Sequence, residues 1–237
     1  VWSGSRRMSG NVLIAAPRLS SKVVKMARTH QLVQALPAGA TFERNVLIGP
    51  AYSLLAPQPM PAEREARGSA EPIVIRHNVF DGFSESNRAI HLNAVGRPSA
   101  PVAVFNNVFL RLPTLVFSET KDAGSLTYAD HNAVAPPAER AFEKIDVSGI
   151  KKGEPGWSAK DIVKPDAAAL GLAAPPPDPL PDFDADILSG KLSITALRQR
   201  LMNAYRPAAD SPLARSGRPT KNDGGESSTP AIGLPLP

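Results

Sequence analysis

Five times along this chain an asparagine closes a β-like run and is followed by a small and then a larger apolar residue. The copies read NVLIAAP from Asn11, NVLIGP from Asn45, NVFDGF from Asn78, NVFLRL from Asn107 and NAVAPP from Asn132. Their spacings of 34, 33, 29 and 25 residues fall in the range of supersecondary units that stack on one another. The unit is β: Pro72-Ile-Val-Ile-Arg-His77 and Pro101-Val-Ala-Val-Phe105 alternate and are rich in β-branched residues, with no helical stripe. Phe42, Ile75, Val104 and Ala129 stand three residues before a motif asparagine, and Leu13, Leu47, Phe80, Phe109 and Val134 stand two after. Superposed coils would stack these two columns in a common core, so that each coil supports only its neighbours. The asparagine then marks a corner. It tolerates the left-handed backbone of a sharp bend, and its amide can bond up and down a stack of like neighbours.

In these motifs and columns the chain resembles the right-handed parallel β-helix, pectate-lyase-like superfamily, over roughly residues 8 to 135. The resemblance implies an all-β fold: a right-handed single-stranded parallel β-helix of about four to five coils across residues 1–135. Because the first motif begins almost at once and no Met opens the chain, coils upstream of Val1 are expected. Residues 136–237 read as a Pro-rich extension that caps the stack. It holds one helix, Ser193 to Ala204, with Ser193 as N-cap and Ile194, Leu197 and Leu201 as its apolar stripe. This helix is expected to cover the open end or a side of the stack. Ser211-Pro-Leu-Ala-Arg-Ser-Gly217, Asp223-Gly-Gly and Ala231-Ile-Gly233 resemble the closing segment of bacterial β-helix proteins, so any truncation is expected at the N-terminal side.

Composition narrows the chemistry. Without cysteine, disulfides, cysteine-ligated zinc and thiol catalysis are excluded. No apolar run approaches the roughly 18 residues of a membrane span. Residues 1–134 hold 14 Lys+Arg against 9 Asp+Glu, and residues 135–237 hold 13 of each, so the repeats carry the whole net charge of +5. A basic surface attracts polyanions. Nucleic acid is disfavoured, because aromatics make up 5% of the chain and none interleaves with a basic stripe. Phosphate loops, a nucleophile elbow and HExxH are absent from the sequence.

Each coil needs a third strand, and the gaps offer Lys22–Thr29, Tyr52–Ala56, Ala89–Val95 and Thr114–Glu119. In the superfamily such strands form the face that commonly carries the binding groove. With Val24, Met26, Ile90, Leu92, Leu115 and Phe117 inward, alternation turns Lys25, His91, Asn93 and Ser118 outward. A lyase acting on a uronic-acid polymer needs a cation at the substrate carboxylate, a base for the proton beside it, and a donor for the leaving oxygen. Lys25 and His91 are the acid or base candidates and Arg28 the neutralising cation; the lysine of VVKMART is similar to the strand lysine of the alginate lyase and chondroitinase B type. His30, Asn93, Ser118, Glu119 and Tyr52 are candidate substrate contacts. Arg76 is expected to face solvent on another side, and His77 and His131 read as corner residues. Glu43, Asp130 and Glu119 read as acids on different faces, which leaves a glycoside hydrolase short of a paired carboxylate. No metal is assigned; Ca2+ through Glu119 and Asp122 is open, although no loop has its ligand spacing. The expectation is therefore a monomeric, secreted or periplasmic bacterial lyase that cleaves an acidic polysaccharide by β-elimination. A non-catalytic polysaccharide-binding or cell-surface module and a glycoside hydrolase are the alternatives.

Overall fold

Each motif asparagine stands between two short strands that belong to different sheets. The computed structural model describes residues 7–15, 31–34, 36, 38–49, 51–57, 72–83, 88–92, 101–122, 126–145, 160–177, 181, 183–221, 227–228 and 231–234. Among them the chain runs β1 (Arg7–Ser9), β2 (Val12–Ile14), β3 (Gln31–Gln34), β4 (Thr41–Glu43), β5 (Val46–Ile48), β6 (Ser53–Ala56), β7 (Ile73–Arg76), β8 (Val79–Asp81) and β9 (Arg88–Leu92). It continues through β10 (Val102–Phe105), β11 (Val108–Leu110), β12 (Thr114–Asp122), β13 (Leu126–Asp130), β14 (Ala133–Ala135), β15 (Arg140–Ile145) and β16 (Ile162–Val163). Through β15 every third strand joins the same sheet. The first sheet is β1-β4-β7-β10-β13, the second β2-β5-β8-β11-β14-β16, and the third β3-β6-β9-β12-β15. All neighbours in these sheets are parallel. The chain thus visits three parallel sheets in turn, once per coil, in a β-helix-like stack.

The two apolar columns read from the sequence are in register. Met8, Phe42, Ile75, Val104 and Ala129 align through the first sheet, and Leu13, Leu47, Phe80, Phe109 and Val134 through the second. Phe80 and Phe109 stack with ring centroids 5.1 Å apart and planes 7° from parallel, a benefit of identical residues at identical corners. Leu55, Ile90 and Val116 supply the third wall.

The corner is a continuous ladder. Asn11 gives its backbone N–H and its side-chain amide to Oδ1 of Asn45. Asn45 does the same to Asn78, Asn78 to Asn107, and Asn107 to Asn132, all at 3.0–3.2 Å. Asn132 hands its backbone N–H to Asp161 Oδ1 at 2.7 Å. One part of the expectation is corrected here: the left-handed residue is the one before each asparagine. Gly10, Arg44, His77, Asn106 and His131 have φ between 50° and 72°, and the asparagine spends its side chain on the ladder instead.

The C-terminal segment lies along the outer face of the second sheet, so the helix covers a side of the stack. α1 (Asp184–Leu188), which the sequence reading did not anticipate, precedes α2 (Ile194–Ala204), capped by Ser193 Oγ accepting from the Ala196 N–H at 3.1 Å. Leu197 and Leu201 are buried, but Ile194 in the first turn is 73% exposed, one residue short of the expected stripe. Leu197, Leu201, Tyr205, Leu213, Ile232 and Leu234 pack on Val46, Ile48, Val79, Val108 and Leu110 to form a second core. Within it Asp81 is fully buried. It pairs with Arg111 and accepts the Tyr205 hydroxyl at 2.6 Å, fastening the segment to the sheet. Gly233 (φ 83°) is pressed so close to Val108 that a Cβ would sit 2.7 Å from its Cγ2.

Candidate functional site

The third sheet carries part of what alternation assigned to it and corrects the rest. The strand of the first coil that pairs with Ser53–Ala56 is Gln31–Gln34 rather than Lys22–Thr29. Lys25, Arg28, His30 and Asn93 lie outside the described residues. His91 aligns with Phe117, and Leu92 with Ser118. In β12 the alternation was therefore read one residue out of step: Val116 joins the core, Phe117 stands on the outer face beside His91, and Ser118 is fully buried at the level of Leu92. Two consecutive core residues, Leu115 and Val116, shift the pattern. Glu119 and Asp122 belong to β12, but their side chains, and with them the calcium expectation, lie outside the described residues. Among the described residues no three His, Asp or Glu form a metal-holding group.

Around His91 the outer face gathers rings and a cation. The Arg88 guanidinium lies 4.3 Å from the Tyr52 ring centroid and 3.7 Å from that of Phe117, a cation held between two π faces. The His91 ring meets both aromatics edge-on, at 6.0 and 5.0 Å. His91 is 1% exposed, so it cannot touch a polymer in this arrangement.

The first sheet brings together groups that sequence reasoning had set apart. Outward positions one level apart in the stack are Ser9, Glu43, Arg76, Phe105 and Asp130. Glu43 and Asp130 therefore share a face instead of lying on different ones. Arg76, expected in solvent, is tied to buried Glu43 at 2.7 Å, and Arg7 grips the same carboxylate. Burial alone would push the Glu43 carboxyl up, but the charges and hydrogen bonds of Arg76 and Arg7 hold it below its ordinary value.

At the other end of this face stand Tyr128, Asp130 and His131. Strand alternation puts Tyr128 and Asp130 on the same side, and the left-handed corner turns His131 toward them. The Tyr128 hydroxyl donates to Asp130 Oδ2, and Asp130 Oδ1 lies 2.5 Å from His131 Nδ1. A carboxylate there fixes the tautomer with Nδ1 protonated, which leaves Nε2 as the proton acceptor. The His131 and Asp130 side chains remain 13% and 14% exposed, and Arg218, from the C-terminal segment, is exposed. The Arg218 guanidinium lies 4.2 Å from the Tyr128 ring centroid and 5.4 Å from that of Phe105. Burial, with the Asp130 hydrogen bond and charge, pushes the Tyr128 phenol up to about 12, so it keeps its proton at neutral pH. Sequence reading saw His131 only as a corner. The signal it lacked was the pairing of Tyr-x-Asp-His in one strand end with an arginine brought from the tail.

Comparison of the chain with protein-family models, with curated proteins and with solved structures gives no match. Among the described residues no helix is long and apolar enough to cross a membrane.

Proposed function

We propose that the chain is a right-handed, pectate-lyase-like β-helix protein, exported by a bacterium, that cleaves an acidic polysaccharide by β-elimination. Right-handedness is supported by the nearly uniform hand of parallel β crossovers. The reaction is supported by one observation above the others: an accessible imidazole, a protonated phenol and an arginine converge around Asp130. Arg218 neutralises the uronate carboxylate and stabilises the enolate. His131 Nε2 takes the proton beside that carboxylate, and Asp130 steadies the resulting imidazolium. Electrons from the broken C–H bond form the C=C bond as the glycosidic C–O bond breaks, and Tyr128 gives its proton to the leaving oxygen. Loss of the Nε2 proton to solvent and return of a proton from solvent to the phenolate restore the starting state, with Nδ1–H still held by Asp130.

The test is ultraviolet absorbance of the unsaturated uronate product, with the purified chain mixed in turn with alginate, pectate, chondroitin and heparin. A rise lost in His131→Gln and Arg218→Ala, with the unfolding midpoint retained, supports the reading. Full activity in both variants refutes it.

Binding without cleavage is a second reading, favoured by the third sheet. There Arg88 is stacked between Tyr52 and Phe117 while its neighbouring imidazole is buried, an arrangement that suits holding a uronate better than deprotonating one. Polysaccharide retention by the chain, weakened in Arg88→Ala and unaccompanied by product, would favour it.

A further inference from the structure

We infer that Asn106 is a positioning residue that holds Arg218 over the Tyr128–Asp130–His131 cluster. The inference rests on the proposed reading of that cluster and adds what assembles it. Asn106 is fully buried and left-handed, with φ 58°. Its Oδ1 accepts the backbone N–H of Arg218 at 2.6 Å, and its side-chain amide donates to the Arg218 carbonyl at 2.8 Å. Its own backbone N–H donates to the carbonyl of His131 at 2.9 Å, and its carbonyl accepts from Gly233 N at 2.7 Å. One residue therefore joins the strand end that carries the imidazole to the tail that carries the guanidinium. Across the chain these two parts are otherwise far apart: Asn106 and Arg218 are 112 positions distant.

The neighbouring contacts fit a clamp rather than a chance approach. A Cβ on Gly217 would lie 3.0 Å from Asn106 Oδ1 and 2.8 Å from the Ala231 carbonyl oxygen, so the tail reaches Arg218 through a residue with no side chain. Phe105, one position before Asn106, forms part of the ring platform under the Arg218 guanidinium. The corners at Gly10, Arg44, His77 and His131 share the left-handed backbone; the corner at Asn106 adds an amide that both accepts from and donates to the tail's backbone.

The decisive variant is Asn106→Gly. Glycine keeps the left-handed backbone without strain and keeps the backbone bonds to His131 and Gly233, removing the side-chain clamp together with the 3.4 Å approach of its amide to His77 Nε2. Amide exchange at Arg218 is expected to rise about tenfold, the equivalent of one buried hydrogen bond, while exchange in β7 and β10 stays as in the wild type. With a polyuronate that the wild type cleaves, KM is expected to rise several-fold in this variant. The pH profile should not move. Asn106→Asp, which keeps the acceptor for the Arg218 N–H and loses the donor, should fall between the two. Unchanged exchange at Arg218 in Asn106→Gly overturns the clamp, whatever the activity. Faster exchange with unaltered KM and kcat overturns its role in positioning. A wild-type chain that cleaves no polyuronate overturns the proposed reaction and the positioning role together, and exchange then still decides the clamp.

Discussion

The asparagine ladder makes a position-dependent prediction about stability. Asn78→Ala removes four buried side-chain hydrogen bonds: two accepted from the backbone and side-chain amides of Asn45 at 3.0 and 3.1 Å, and two donated to the Phe42 carbonyl and Asn107 Oδ1 at 2.9 and 3.0 Å. At about 1 kcal/mol net for each bond, with some buried partners left unsatisfied, the cost is about 4 kcal/mol. Asn11→Ala removes a bond to the Ser9 carbonyl that is already exposed and one part-buried bond to Asn45. Water replaces much of that, and the cost is about 1 kcal/mol. The difference should appear in urea unfolding as a larger fall in midpoint for Asn78→Ala at an unchanged slope. The left-handed residue of this corner is His77, so the substitution does not disturb φ. Equal losses for the two variants, within about 0.5 kcal/mol, would refute the claim that the ladder is additive bonding among buried amides. The corner would then be held by strand pairing and side-chain packing alone.

Stability should also depend on pH through His77, whose burial and the Arg76 charge lower its ring from 6.5 to about 4. As pH falls from 6.5 toward 4 the unfolded chain takes up a proton that the folded chain refuses. Stability should therefore drop by about 3 kcal/mol over that window, and a titration of the ring by NMR should show it neutral until near the lower limit. Gly233→Ala places a Cβ 2.7 Å from Val108 Cγ2 at a φ of 83°, so a loss of about 2–3 kcal/mol is expected, with faster proteolysis of the C-terminal segment. Tyr205→Phe removes the hydroxyl that donates to buried Asp81 at 2.6 Å and should cost about 1.5–3 kcal/mol in denaturant unfolding.

The corner and its two apolar columns were legible because a stack repeats the same demand at every level. Phe42, Ile75 and Val104 announce one another, and a periodic apolar position has no competing explanation. The left-handed residue was not legible. Glycine, arginine, histidine and asparagine all fill it, since the ladder and the strands on either side impose the backbone and leave the identity free. The third strand of the first coil was misplaced because Lys22–Thr29 has the more β-like composition. Gln31–Gln34 wins through register with Ser53–Ala56, a long-range term that no local window contains. In β12 the consecutive Leu115 and Val116 put the simple alternation out of step and moved Ser118 from one side to the other. The cluster around Asp130 was half visible. Tyr128 and Asp130 follow from alternation, but Arg218 arrives only when the tail has docked on Asn106, and neither sequence spacing nor composition carries that contact.

The ladder also has a direction. From Asn11 to Asn107 each asparagine passes its backbone N–H and one side-chain hydrogen onward to the oxygen of the next asparagine, and Asn132 passes its backbone N–H to Asp161. At the far end of the described ladder the acceptor is a carboxylate oxygen, supplied by Asp161. Interior members are equivalent, whatever the length of chain that joins them: 25 residues separate one pair and 34 another. A coil that brings its own corner asparagine can therefore be spliced between any two others, or one removed, and the chain of amides closes again across the gap. Lengthening such a molecule requires no redesign of its middle, only a copy of it.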